Sequence, residues 1–317
     1  MKDLRQSGKN LLVLDAGDLL FNKYSAPIPE RESREATQKA LLIIDAFNVM
    51  GYDAMGIGDD DLSLGKDFLL KASKKAKFPI LSSNVFDEAS GRPLIQSSVI
   101  KEMAGLRIGI FSLLSQEVFH GSFDPRREGL VIQPPVETAQ NMVKELGSKV
   151  DLIVLLSHLG YPKDVELAQT VSGIDIIAGG HTGINLTNPP VFNNTLIVQN
   201  ASKGMYGTKL DTTLLARGNT FYNVATKRSV ENNLRDLKQR LTSMNASDTQ
   251  RDQWSRAKES AERSLQQLEG KNPFTQLSSP LNDGIKDDPE MKKMIEAFKN
   301  AIRKGEKMDS SSRGQSK

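Results

Sequence analysis

Along residues 1–226, short apolar runs alternate with stretches in which apolar residues recur every three or four positions. Asn10-Leu11-Leu12-Val13-Leu14-Asp15 is a continuous apolar run closed by a glycine turn, the pattern of a fully buried strand. Residues 33–50 put Ala36, Ala40, Ile43, Ile44, Phe47 and Met50 on one helical face, with Gly51 as the stop. A short strand at 53–57 and a helix over 65–76 follow. Strands are predicted at 79–85, 95–102 and 107–114. The glycines, prolines and mixed charges of 116–134 read as an exposed loop. A helix at 136–147 precedes Asp151-Leu152-Ile153-Val154-Leu155-Leu156, the most apolar strand in the chain. A helix at 162–170 feeds a strand at 174–177, and strand-like runs lie near 191–199, 208–215 and 220–226. Alternating strands and helices that end in consecutive strands predict a layered α/β domain with a mixed sheet.

From residue 227 the pattern changes. Leu234, Leu237, Leu241 and Met244 fall at helical spacing. Ser247 with Gln250 three residues on is a capping box for a second helix over 248–269, lined by Trp254, Ala257, Ala261, Leu265 and Leu268. The two form a helical hairpin. After a loop at 273–284, a third helix opens with Asp288-Pro289 and carries Met291, Met294, Ile295, Phe298 and Ile302. Residues 305–317 are small and polar and are expected to be a disordered tail. The organisation is therefore an α/β domain at 1–226, a helical segment at 227–304 and a tail.

Charge sharpens that boundary. Residues 1–226 carry 23 basic and 25 acidic side chains, and residues 227–317 carry 19 and 14. The C-terminal charges alternate in sign, which fits a solvated helical surface rather than a nucleic-acid groove. No apolar run reaches the ~18 residues of a membrane span. The segment before the first strand holds no apolar signal-peptide core. With no cysteine, thiolate zinc sites, iron–sulfur clusters and cysteine nucleophiles are excluded, and histidine chemistry is confined to His120, His158 and His181.

In α/β sheets, ligands gather outside the carboxyl ends of strands. Four predicted strands end in residues that suit a metal: Asp15-Ala16-Gly17-Asp18, Asp59-Asp60-Asp61, Ser157-His158, and Gly179-Gly180-His181-Thr182-Gly183. Each alone has a plain structural use, as a turn cap, an acidic turn, a core histidine or a glycine turn. Together, two imidazoles and two carboxylates make a nitrogen and oxygen site suited to zinc, manganese or iron. His120 sits on a loop with no partner in view. A dinucleotide fingerprint does not fit, because Gly56-x-Gly58 lacks the third glycine and aspartates follow it.

Leu14-Asp15-Ala16-Gly17-Asp18, Asn48-Val49-Met50-Gly51-Tyr52-Asp53-Ala54, Gly58-Asp59-Asp60, Leu156-Ser157-His158-Leu159-Gly160 and Gly180-His181-Thr182 fall in the order of the calcineurin-like metallophosphoesterases. With Leu81-Ser82-Ser83-Asn84-Val85 and Gly204-Met205-Tyr206-Gly207, the chain most resembles the 5′-nucleotidase and UDP-sugar hydrolase branch over roughly residues 4–226. The resemblance implies a four-layer α/β/β/α sandwich and metal-dependent hydrolysis of phosphate esters. It assigns Asp18, Asp59, His158 and His181 as ligands of the second metal, with Asp18 bridging. The family's Asp-x-His opening strand has no counterpart here, so the sandwich is expected to lack its first strand. The family's Gly-Asn-His motif reads Gly58-Asp59-Asp60, so Asp60 stands at the position of the catalytic histidine. The family's last ligand is here Gly183, which offers no side chain. The first metal thus keeps only Asp18, and one divalent ion (Mn, Zn or Fe) is expected rather than two.

The expected function is hydrolysis of a small, nucleotide-like phosphate ester at a reduced, single-metal site. The alternative is a catalytically degenerate descendant retained as a binding or scaffold protein, with the C-terminal helices taking a protein partner. The family's separate base-stacking domain has no match after residue 227. Resemblance to the family points to export, and the N-terminus as it stands points the other way.

Overall fold

The computed structural model describes residues 2–8, 10–121, 123–201, 204–243 and 246–314. In chain order the first elements are α1 (Lys2–Gln6), β1 (Leu14–Asp15), α2 (Glu30–Met50), β2 (Ala54–Gly56), α3 (Gly65–Lys75), β3 (Ile80–Leu81), β4 (Val85–Asp87), β5 (Ser98–Met103) and β6 (Leu106–Leu114). Next come β7 (Leu130–Ile132), α4 (Pro135–Leu146), β8 (Leu152–His158), α5 (Tyr161–Thr170), β9 (Ile176–Gly179), β10 (Val191–Phe192) and β11 (Thr195–Gln199). The last are β12 (Tyr206–Thr212), β13 (Phe221–Asn223), α6 (Val224–Leu241), α7 (Asp248–Gln266), β14 (Asn272–Pro280) and α8 (Pro289–Gly314).

Two sheets make the centre. One is parallel, in the order β1-β2-β3, and the other is mixed, in the order β10-β11-β9-β8-β6-β5. Strand alternation divides the apolar residues among three interlayer spaces. On β8, Leu152, Val154 and Leu156 pack with Ala54 and Leu81 between the two sheets. Ile153 and Leu155 point the other way, onto Ala139, Met142 and Leu146 of α4 and Leu167 and Ala168 of α5. On the far side, Met55 of β2 and Ile80 of β3 meet Ala40, Ile44 and Phe47 of α2 and Phe68, Leu69 and Ala72 of α3. The layers are therefore α/β/β/α, as expected. Gly51 ends α2 in the left-handed region at φ 71°, where a side chain is disfavoured, so the helix stops at the predicted residue. Among the described residues, no helix is long and apolar enough to cross a membrane.

The structure departs from the sequence reading in several places. The strand expected over 79–85 is two pieces, β3 in the central sheet and β4 paired with β7, because the chain changes partner at the buried residues Ser82-Ser83-Asn84. Asn84 makes that change possible: its side chain donates to Leu114 O and Gln133 O and accepts from the Leu114 amide. The loop expected over 116–134 holds β7 and two short 3₁₀ turns, one of which carries a buried arginine. The strand expected at 220–226 ends at Asn223, whose side chain caps α6 by accepting from the Ala225 amide.

The fourth departure is the largest. Residues 272–280, read as a loop between helices, form β14, which lies between β12 and β13 and pairs with both. The helical hairpin of α6 and α7 is therefore a connection between two neighbouring strands, and its segment shares a sheet with residues 206–223. Phe274 of β14 is buried in the inter-sheet core with Phe221. The capping box at Ser247 and Gln250 is present, and Asp288 accepts from the amides of Glu290 and Met291 to open α8. The third helix runs on to Gly314, since extending a helix already nucleated needs only one residue fixed per added hydrogen bond. Met244 and residues 315–317 lie outside the described residues.

Phe274→Ala should cost about 3–5 kcal/mol of folding stability, the usual loss for a fully buried phenylalanine. Urea denaturation followed by tryptophan fluorescence and by circular dichroism checks this. A change below about 1 kcal/mol would show that residues 272–280 are an appendage to the core.

Candidate metal centre

The carboxyl ends of β1, β2, β8 and β9 lead into Asp18, Asp59, His158 and His181. One ligand-capable atom from each of the four lies within 4.8 Å of the others. The four strand ends singled out in the sequence are thus brought together. Asp59 and His158 are buried, while Asp18 and His181 stand at the rim, with side chains 25% and 35% exposed.

Local structure aims each group. Asp18 and His181 have left-handed backbones, φ 61° and 67°, which cost a residue with a Cβ about 1 kcal/mol and so need outside support. For Asp18 that support is Asp61, whose carboxylate accepts from the amides of Asp18, Leu19, Leu20 and Gly58 and ties the end of β1 to the end of β2. The Asp60 amide takes Asp18 Oδ1 at 2.8 Å, leaving Oδ2 3.0 Å from His158 Nε2. For His181 the support comes from β11: Gln199 donates to Gly180 O at 3.1 Å and to the Thr182 hydroxyl at 2.8 Å. His158 Nδ1 lies 2.9 Å from Ala16 O, an acceptor only, so Nδ1 carries the proton and Nε2 presents its lone pair. Glycine is required at 58, where a Cβ would lie 2.1 Å from Asp18 Oδ1 and 2.6 Å from His158 Cε1.

Asp59 Oδ1 lies 3.4 Å from His158 Nε2 and 3.6 Å from His181 Nδ1. With the proton on Nδ1, the buried atoms Asp59 Oδ1 and His158 Nε2 face only other lone pairs, so neither is satisfied by a hydrogen bond. Leaving such atoms unsatisfied costs about 1–3 kcal/mol each, and a shared cation between them removes the cost. The donor set of two imidazoles and two carboxylates suits a divalent transition ion, so the residues present fit a metal. Without one, a proton serves. Burial opposes charge on His158, but Asp18 and Asp59 outweigh it and hold the imidazolium well above its usual range. Burial likewise opposes charge on Asp59, yet His158, His181 and Arg126 keep its carboxyl well below the usual carboxylate range.

Arg126 was not visible in the sequence as a site residue. It sits in the segment Asp124-Pro125-Arg126-Arg127, which reads as a solvated turn, yet it is 2% exposed. Its Nη1 meets Asp59 Oδ2 at 2.5 Å and Asp60 Oδ1 at 3.1 Å. Nη2 and Nε meet the two oxygens of Asp124 at 2.8 and 3.0 Å. The available signal was indirect: three consecutive aspartates at 59–61, all buried, need a buried cation from somewhere. Asp60 also accepts from the Tyr24 amide at 2.8 Å. His120 contributes its backbone amide to Asp124 and its ring lies 6.0 Å from that of Tyr24.

Behind His158, the Ser157 hydroxyl donates to Asp164 of α5. Asp164 is fully buried, and desolvation raises its pKa from 3.8 to about 7 despite Ser157 and His158, which pull it down.

No family model matches the chain. The 5′-nucleotidase of Vibrio cholerae is 27% identical over 240 residues, covering 66% of this chain and 42% of that protein. The trifunctional nucleotide phosphoesterase protein YfkN of Bacillus subtilis is 28% identical over 263 residues, covering 69% of this chain and 17% of that protein. A solved structure described as calcineurin-like phosphoesterase YfkN superposes with a TM-score of 0.61 at 18% identity, over 95% of this chain and 87% of that one. The 5′-nucleotidase precursor from Thermus thermophilus superposes with a TM-score of 0.63 at 23% identity, over 95% of this chain and 52% of that one. The chain spans less than half the length of the two curated relatives. The two superpositions show a shared fold.

Gly58→Ala should weaken binding of manganese or zinc at least tenfold in calorimetric titration, because the added methyl displaces Asp18 and His158 together. Affinity within twofold of wild type would remove the cluster as the binding site. A second expectation concerns pH. Asp164 ionises near 3.8 when unfolded and near 7 when folded, so between those values the folded state holds the extra proton. Its stabilising contribution is complete below pH 3.8 and is lost as pH rises through 7, by ~4 kcal/mol at most. Asp164→Asn should flatten that part of the stability curve in urea titrations from about pH 4 to 8. Unchanged slopes would show that the carboxyl is not buried in its neutral form.

Proposed function

We propose that this chain, a member of the 5′-nucleotidase family of metallophosphoesterases, hydrolyses small phosphate monoesters with the help of a divalent ion held by Asp18, Asp59, His158 and His181. The observation that carries the reading is the pair of buried, unpartnered atoms, Asp59 Oδ1 and His158 Nε2, inside a cluster of four ligand-capable side chains. Manganese, zinc or iron suits that donor set. A nucleotide is the preferred class of substrate, because relatives are named for nucleotides. One ion rather than two is supported by Gly183, which has no side chain to offer, and by Asp60, which is engaged by Arg126 and the Tyr24 amide.

When bound, the ion supplies Lewis-acid polarisation of a phosphoryl oxygen and acidifies a water molecule. The protein's own groups prepare the site. Asp18 and Asp59 each have one oxygen engaged elsewhere and the other aimed into the cluster. The Ala16 carbonyl fixes the His158 tautomer. His181 and Asp18, at the rim, mark the side from which a phosphate can approach. Four carboxylates, at 18, 59, 60 and 124, face one guanidinium and the His158 imidazolium, so the ion-free site still carries excess negative charge and repels a phosphate dianion. Turnover should therefore require metal.

The test is p-nitrophenyl phosphate and nucleoside monophosphate turnover by protein stripped with chelator and reloaded with manganese, zinc or iron. Activity is expected only after reloading and should fall at least a hundredfold in His158→Ala. Retention of full activity in chelator, or in His158→Ala, would overturn the assignment.

A further inference from the structure

The second oxygen of Asp59 has a use that the four-residue cluster leaves unexplained. A carboxylate has two oxygens to offer, and the structure puts a buried cation against the second one. We propose that Arg126 is a positioning residue matched to Asp59. It takes one carboxylate oxygen and so presents the other to the metal, and Asp60 belongs to this clamp rather than to the reacting phosphate. The inference rests on the metal-centre reading above.

The clamp is fixed on every side. Arg126 Nε and Nη2 make a two-pronged contact with Asp124, at 3.0 and 2.8 Å. The Tyr24 ring covers the guanidinium at 4.1 Å, with the Phe119 ring at 5.2 Å. Nη1 remains, and it divides between Asp59 Oδ2 at 2.5 Å and Asp60 Oδ1 at 3.1 Å. A guanidinium held this way cannot swing, so Asp59 cannot rotate without breaking a buried ion pair. Its Oδ1 is left facing His158 and His181 without a hydrogen bond.

Residue choice follows from acceptor counting. A carboxylate has two oxygens, one for each cation. A carboxamide has one oxygen and an NH₂ group, and the latter cannot face a guanidinium or a metal. With Arg126 in place, asparagine at 59 would have to abandon one partner. Lysine at 126 would keep the charge but lose the planar fork that grips Asp124 and Asp59 together. Asp60, with one oxygen shared by the Tyr24 amide and Arg126, is the third wall of the clamp.

The test uses the full chain loaded with cobalt(II), read by its visible absorption spectrum and by calorimetric affinity. Wild type should bind with the spectrum of a nitrogen and oxygen site. Arg126→Lys, which conserves charge, should bind about 10–100-fold more weakly, the range for loss of a group that orients a metal ligand. Its absorption bands should also shift, because the ligand geometry has changed. Unchanged affinity and spectrum in a folded Arg126→Lys protein would overturn the inference and leave the functional reading standing. No cobalt binding by wild type would overturn both. Should Arg126→Lys fail to fold, Asp124→Asn decides, because it loosens the grip on Arg126 and leaves the four ligand side chains in place: weaker binding with shifted bands supports the clamp. Wild-type affinity and spectrum there overturn it.

Discussion

Carboxyl groups buried in a row are the constraint around which the rest of the site is arranged. Asp59, Asp60 and Asp61 follow the end of β2 after Ile57 and Gly58 and are 5%, 6% and 0% exposed. Ionised carboxylates in such surroundings must be paired or amply hydrogen-bonded. The three are satisfied in three different ways. Asp61 takes four backbone amides and so builds the turn that carries Asp18. Asp60 takes the Tyr24 amide and a share of Arg126. Asp59 takes the rest of Arg126 on one oxygen and faces two imidazoles with the other. Together these contacts draw on several loops, so the run of three acids fastens the ends of β1 and β2 to the 116–134 segment and to the end of β8.

The layered fold makes this possible at modest strain. Parallel pairing in both central sheets sends the carboxyl ends of β1, β2, β8 and β9 to one edge, so four short loops meet there without long connections. Strand alternation supplies the interlayer contacts, and the glycines at the loops allow close approach. Gly58 is the tightest example, because the space its missing Cβ would fill is already taken by Asp18 and His158. The left-handed residues Asp18 and His181 are held by groups from neighbouring elements, Asp61 and Gln199, rather than by their own segments.

What could be read from the sequence followed from local pattern. Period-two and period-3.6 apolar spacing located most strands and helices, strand-end position singled out the Asp15–Asp18 turn, the run Asp59-Asp60-Asp61, His158 and His181, and the family resemblance picked Asp18 and Asp59 from among the aspartates. What could not be read depends on contacts between distant segments. Nothing near Asp124-Pro125-Arg126-Arg127 reveals that one arginine is buried while its neighbour is not, since that depends on Asp59 and Tyr24, far away in the chain. β14 was hidden for another reason. Pro273 and Pro280 bracket it, and proline lacks the amide a strand interior needs, so the stretch reads as loop. Both prolines fall at the ends of the strand, and only one of its large apolar residues, Phe274, is buried.

The placement of β14 also governs the order in which the molecule can be completed. Its partners, β12 and β13, are made about 50–70 residues earlier, and two helices must be formed in between. Pairings of that sequence separation form late, because loop closure must precede the contacts that reward it. On a ribosome, the sheet between β12 and β13 has no middle strand until residue 280 has emerged. During that interval Phe221 and the neighbouring inter-sheet surface lack the cover that Phe274 later gives. The surface around Phe221 is thus covered only once β14 takes its place between β12 and β13.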